Sequence, residues 1–200
     1  MSINVCNDRS MASITSLPSG VFGSSLVLIS EQTASSSANI TFDSDIDSTY
    51  KEYVFKFINV HPATDQVDFQ VNFRDGSTAY DATKTTTNFQ AFHNEAGDTT
   101  GLAYDDGRDL AQSTAVLNIA RMIGNGNDES GCGILHLFDP SNTTFVKHFI
   151  LDTQCYNEGD FSVRRLIAGY CNTTSAIDGV QFSFSSGNID SGTIKMYGVV

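Results

Sequence analysis

The sequence predicts an all-β fold: a single jelly-roll-like antiparallel β-sandwich over residues 23–200, preceded by a short N-terminal arm over 1–22. Three observations carry this expectation. The 23 acidic residues divide into 18 Asp and 5 Glu, and only 5 Lys are present. Asp, together with the abundant Ser, Thr, Asn and Gly, favours turns and caps, whereas Glu and Lys favour helix interiors. Apolar residues recur with period two, most clearly as Val67, Phe69, Val71 and Phe73 against Asp68, Gln70, Asn72 and Arg74, the pattern of a strand with one buried and one wet face. Turn clusters separate short apolar runs and no internal repeat is visible, which favours a sandwich over a propeller. At 200 residues and 40% hydrophobic, the chain is long enough for one sizeable core.

Taken in order, the first twenty or so residues lack periodicity and end in Leu17-Pro18-Ser19-Gly20, which is turn chemistry. Met11 opens the more regular part and is a second candidate start. Strands are expected over 25–29 and 38–42, then over 53–60, where Val54, Ile58 and Val60 make both faces apolar and place the strand centrally. The run 67–74 follows, then 88–93. Residues 110–123 carry apolar positions at helical spacing, but the half from Ala115 to Ile123 reads as a buried strand. Further strands are expected over 133–138, 144–151, 165–170, 180–184 and 193–199, about ten in all. The turns between them are Asp75-Gly76-Ser77, 94–97, 105–107, 124–127, 139–142 and 186–188.

Net charge −12 and a pI near 4.4 argue against nucleic acid as a partner. No stretch resembles a secretory leader or approaches the roughly 18 apolar residues of a membrane helix, so no membrane partner is expected. Cys6, Cys132, Cys155 and Cys171 have no paired spacing and read as small buried apolar residues.

The chemistry-bearing residues do not assemble into a motif. His61, His93, His136 and His148 form no short ligand pair. His136 and His148 fall on successive expected strands, where two neighbours and a third ligand would hold a transition metal; two polar-face histidines are the simpler reading. Asp43, Asp45 and Asp47 begin like a calcium loop, but its sixth and twelfth positions would be Ser48 and Val54 instead of Gly and Glu. Asp105, Asp106 and Asp109 read as a turn, with Asp109 a candidate cap. Arg164-Arg165, the only basic pair, reads as a solvated strand end. Asn39, Asn142 and Asn172 stand in glycosylation sequons, which matter only in a secreted eukaryotic protein. Tyr80 and Tyr104 are the loop aromatics that could stack on a sugar, near the candidate recognition loops 94–109 and 124–131. No residue is assigned a catalytic, cofactor-binding or metal-ligating role; no cofactor and no enzymatic activity are expected.

Longer phrases carry a resemblance. SSSANITFDSDIDSTYKEYVFKFINVHPATD (35–65), DATKTTTNFQAFHNE (81–95), LAQSTA (110–115), LHLFDPSNTTFVKHF (135–149) and AGYCNTTSAIDGVQFSFSSGNIDSGTIKMYGV (168–199) resemble a family of virion structural proteins of marine tailed phages, such as those infecting cyanobacteria and pelagic bacteria. The resemblance spans about residues 25–200 and leaves the arm outside. It implies a β-sandwich particle component located in the virion and made in the host cytoplasm. Its expected partners are other virion proteins, namely the major capsid protein or tail proteins, and further copies of itself, with a homotrimer as the natural oligomer. A capsid decoration or cement-type role on the head comes first, and a tail-fibre or receptor-binding role toward host surface glycan is the alternative. No catalytic residue is implied.

Overall fold

The computed structural model describes residues 25–200; the arm expected over 1–22, with Cys6 and Met11, lies outside the described residues. These residues form twelve strands: β1 (Leu26–Thr33), β2 (Ile40–Phe42), β3 (Glu52–Pro62), β4 (Val67–Arg74), β5 (Lys84–Asn94), β6 (Thr100–Tyr104), β7 (Leu117–Ile123), β8 (Gly131–Phe138), β9 (Lys147–Asn157), β10 (Phe161–Cys171), β11 (Gly179–Phe184) and β12 (Ile189–Val199). No helix occurs among the described residues.

The strands pair antiparallel into an eight-stranded sheet, ordered β1-β12-β3-β8-β9-β10-β5-β6, and a four-stranded sheet, ordered β2-β11-β4-β7. Four antiparallel rungs, β1 with β12, β2 with β11, β3 with β8 and β4 with β7, roll the chain so that successive rungs alternate between sheets. This is the winding of an eight-stranded jelly roll. Two hairpins are inserted into it: β5–β6 between β4 and β7, and β9–β10 between β8 and β11. Both add to the β8 edge, in the order β9, β10, β5, β6, doubling the width of one sheet.

Apolar burial between the layers holds the sandwich together. Phe182 on β11 is the hub, with ring centroids 5.8 Å from Phe69, 5.9 Å from Phe57, 6.0 Å from Phe55 and 6.4 Å from Phe42. A bulge keeps β3 in this core. Asn59 adopts φ 51° where the β3–β8 register shifts, so Phe57 and Val60 both face inward although three positions apart. Glycines make room for the rings on neighbouring strands: Phe57 lies across Gly133 and Phe149 across Gly169, so a Cβ at either glycine would strike the ring.

Strand 67–74 falls where the alternation places it, and β3 is central, between β12 and β8. The half 115–123 is strand, beginning at Leu117, while 110–116 crosses under β5 through the Lys84–Ser113 bridge. Two corrections follow. The turn-like stretch 94–109 contains β6, whose Gly101 is covered by the Phe92 ring. The strand expected at 165–170 runs from Phe161, so Arg165 sits mid-strand.

Candidate functional site: the outer face of the large sheet

The sequence-predicted histidines stay apart. His61 Nε2 lies 3.0 Å from the Gly126 carbonyl oxygen and Nδ1 3.6 Å from Asp190. His136 Nδ1 lies 2.6 Å from Glu52 Oε1. It stands opposite Ile150, two positions from His148, which sets its edge against Tyr170. His93 is exposed on β5. Among the described residues no cluster of three His, Cys, Asp or Glu side chains is placed to hold a metal ion.

The aspartate triplet is a turn. Asp45 has φ 62°, and Asp47 Oδ1 accepts bonds from the Thr49 N–H at 2.8 Å and the Tyr53 hydroxyl at 3.1 Å. The Thr49 bonds hold its carboxyl below the usual range. Asp109 accepts from the Tyr104 hydroxyl at 2.6 Å and begins no helix. Tyr80 is not a loop platform: its hydroxyl is buried and its ring lies under Arg74. Tyr104 stands on β6. Cys155 and Cys171 are buried as expected, while Cys132 is half-buried.

Arg165 overturns the reading of the basic pair as a solvated end. Arg164 does face water, bonded twice to Asp152 at 2.9 and 2.6 Å, which lowers the Asp152 pKa. Arg165 points the other way and is 0% exposed. It pairs with Asp105, and Arg108 bridges Asp105 and Asp68 at 3.9 and 3.4 Å. The next side chain along β10 in either direction faces the opposite side of the sheet, so adjacent arginines meet opposite environments.

The feature built by the whole fold is the outward face of the added half of the large sheet. Pairing registers set Tyr104, Phe89 and Leu166 in one row, Leu102, Ala91 and Arg164 in the next, and Ala168 beside Ile150. Leu102 is 81% exposed, and Phe89, Tyr104, Leu166 and Ile150 are each more than two-fifths exposed. The Phe89 and Tyr104 rings meet edge to face at 5.2 Å. Two shallow depressions interrupt the face. One of about 470 Å³ lies among His148, Ile150, Ala168 and Tyr170, and one of about 450 Å³ among Ile58, Cys132 and Ile134, with Lys56, Asp152 and Arg164 also lining it.

Charge is nearly absent here. On β5, β6, β8, β9 and β10 the outward charged side chains are Asp152 and Arg164, paired with each other, on a chain of net charge −12. Five strands at about 4.8 Å spacing and eight or so residues at about 3.3 Å give roughly 600 Å² of face, close to the ~800 Å² per partner of a standard protein interface. The face is mixed: exposed Phe89, Leu102, Tyr104, Ile150 and Leu166 are interleaved with Thr87, His148, Gln154 and the Asp152–Arg164 pair, and exposed apolar clusters rimmed by polar residues mark interaction sites. The short runs 89–92 and 166–168 hold apolar residues of this face, but only pairing brings those runs side by side. Compared with known proteins, the chain matches no protein-family model, no curated protein and no solved structure.

Proposed function

We propose that this chain is a structural component of a bacteriophage virion, a decoration or cement-type protein that docks on the head surface through the outer face of its large sheet. The observation that carries this reading is the outward face from β8 to β6, where Phe89, Leu102, Tyr104, Ile150 and Leu166 are exposed around one paired Asp152–Arg164, on a molecule of net charge −12. Water is excluded there at no cost in unpaired charge, while the acidic remainder repels non-specific neighbours. The resemblance of the 35–65 and 168–199 phrases to marine phage virion proteins supports it. So does the jelly-roll winding, a scaffold common in particles though not restricted to them. The partners are capsid subunits and further copies of this chain, arranged as a trimer.

The test is to strip the protein from particles and add back either the wild-type chain or Phe89→Glu/Leu102→Glu. Wild type restores resistance to heating and low salt, and the double variant does not rebind. Depleted particles as heat-stable as intact ones would overturn the reading. A tail-fibre or receptor-binding role toward host glycan is the alternative; binding of the purified chain to host cells, with none to depleted heads, would select it.

A further inference from the structure

On the inner side of the large sheet, β7 is the free edge of the small sheet and lies over β9 and β10. Beyond that edge a cavity of about 260 Å³ opens. Gln90 and Phe92 of β5 and Phe161 and Val163 of β10 form one wall; Arg121 and Met122 of β7 form the other, with Glu158 at the rim.

Three observations make this a built site. The Arg121 side chain has no ion pair or hydrogen bond among the described residues, and its Nε is buried without a partner. Directly behind, Arg165 pairs in register with Gln90. It is fully buried, with Nε and Nη1 also unpartnered. Among the described residues Asp68 and Asp105 pair with Arg108 and Arg165, while Arg121 makes no ion pair and shares the cavity with the Glu158 side chain at its rim. Third, Met122 holds φ 49°, a strained conformation for a long side chain. Three contacts impose it: its N–H donates to Asp68 Oδ1 at 2.9 Å, its carbonyl accepts from the Glu158 N–H at 3.0 Å, and the Arg121 carbonyl faces Cys155 Sγ at 3.7 Å. The strain fixes the backbone that presents Arg121.

Unpartnered guanidinium donors call for a planar, acceptor-only anion, and a carboxylate fits their fork. The Phe92 and Phe161 rings, 6.0 Å apart at 69°, offer an apolar wall for the C–H face of a ring, while the Gln90 amide and Glu158 offer partners for hydroxyls. The volume lies below the ~300 Å³ where pockets for drug-sized ligands begin, so the occupant is small. We propose that this cavity binds an acidic monosaccharide, a uronate, with its carboxylate on Arg121 and its ring against Phe92 and Phe161. The proposal does not rest on the docking face, which lies on the opposite side of the sheet.

The experiment is an amide NMR titration of the full chain with glucuronate, with glucose and inorganic phosphate as comparison probes. Glucuronate is expected to give saturable millimolar shifts centred on Met122, Gly159 and Phe161. Arg121→Gln should weaken it about tenfold or more, and Glu158→Gln, which removes the facing carboxylate, should tighten it several-fold. Phe89→Glu should leave it unchanged, so failure of docking and failure of this site are separable. No saturable shift, equal binding of glucose or phosphate, or unaltered binding by a folded Arg121→Gln chain would each overturn the proposal.

Discussion

Lys84 of β5 and Lys147 of β9 face each other across Cys171 of β10, in one register row and both fully buried. Neither ammonium has a carboxylate within ion-pairing distance among the described residues. Lys84 Nζ donates to Asn72 Oδ1 at 2.5 Å and the Ala82 carbonyl at 2.8 Å, and Lys147 Nζ donates to the carbonyls of Phe145 and Thr173. Burial with only neutral acceptors pushes the Lys84 pKa down to about 8 and lowers that of Lys147, and the same burial pushes the Cys171 thiol up to about 12.

The signs of these shifts predict a stability maximum near pH 9. Folded Lys84 releases its proton near pH 8 and the unfolded chain near 10.5, so the unfolded state holds more protons and stability rises through this window. Above about pH 9 the unfolded thiols ionise while folded Cys155 and Cys171, raised to about 11 and about 12, do not, and stability falls. Unfolding free energies from urea titrations between pH 7 and 10 should rise by only a few tenths of a kcal/mol from pH 8 to 9, since about 1 kcal/mol from Lys84 is offset by about 0.7 kcal/mol from the two thiols, and should then decline. In Lys84→Met the rise should vanish, and the variant should be more stable than wild type at pH 7.

Asp105→Asn removes the carboxylate that Arg165 pairs with and leaves a fully buried guanidinium in excess. Breaking one side of a buried pair costs about 3–5 kcal/mol. Asp152→Asn, at the exposed Arg164 pair, should cost less than about 1 kcal/mol. Denaturation of the two variants side by side checks the contrast; equal losses would refute the assignment of Arg165 to the interior.

Gly133→Ala places a methyl group against the Phe57 ring and 2.6 Å from the Asp152 carbonyl oxygen. Neither backbone nor ring has room to give, and overpacking of this kind costs about 1–3 kcal/mol. Gly107→Ala, where the nearest outside atom is 3.7 Å away, should be close to neutral by the same measurement.

Leu102→Lys changes a side chain that is 81% exposed, so the thermal midpoint should move by no more than the equivalent of about 0.5 kcal/mol. Because Leu102 stands on the proposed head-docking face, the same variant should rebind depleted particles more weakly than wild type while remaining folded. A wild-type chain that is monomeric at all concentrations would remove the trimer from the proposed role.

Legibility followed the range of the interactions. Val67–Phe73 was readable because alternation is a property of one strand, and the turns at Asp75-Gly76 and Ser186-Gly187 were readable because Gly76 and Gly187 sit at φ 89° and 70°. β6 was hidden because Gly101, at its centre, gains its place only from Phe92 on the strand beside it. Of the proposed cavity, the one visible clue was Arg121, a charge inside the apolar run LNIARMI; Gln90, Phe92 and Phe161 carry no signal alone.

By itself the sequence determined the all-β class, most of the strands and the acidic turns between them, since side-chain alternation and turn propensity act over a few residues. The tertiary structure decided which strand faces become neighbours. Arg165 is interior because Asp105, sixty positions earlier, is brought to it by sheet pairing, and Phe89, Leu102 and Leu166 form one surface because β10, β5 and β6 line up at one edge of a widened jelly roll. Such pairings join residues distant in the chain, and no local pattern records them.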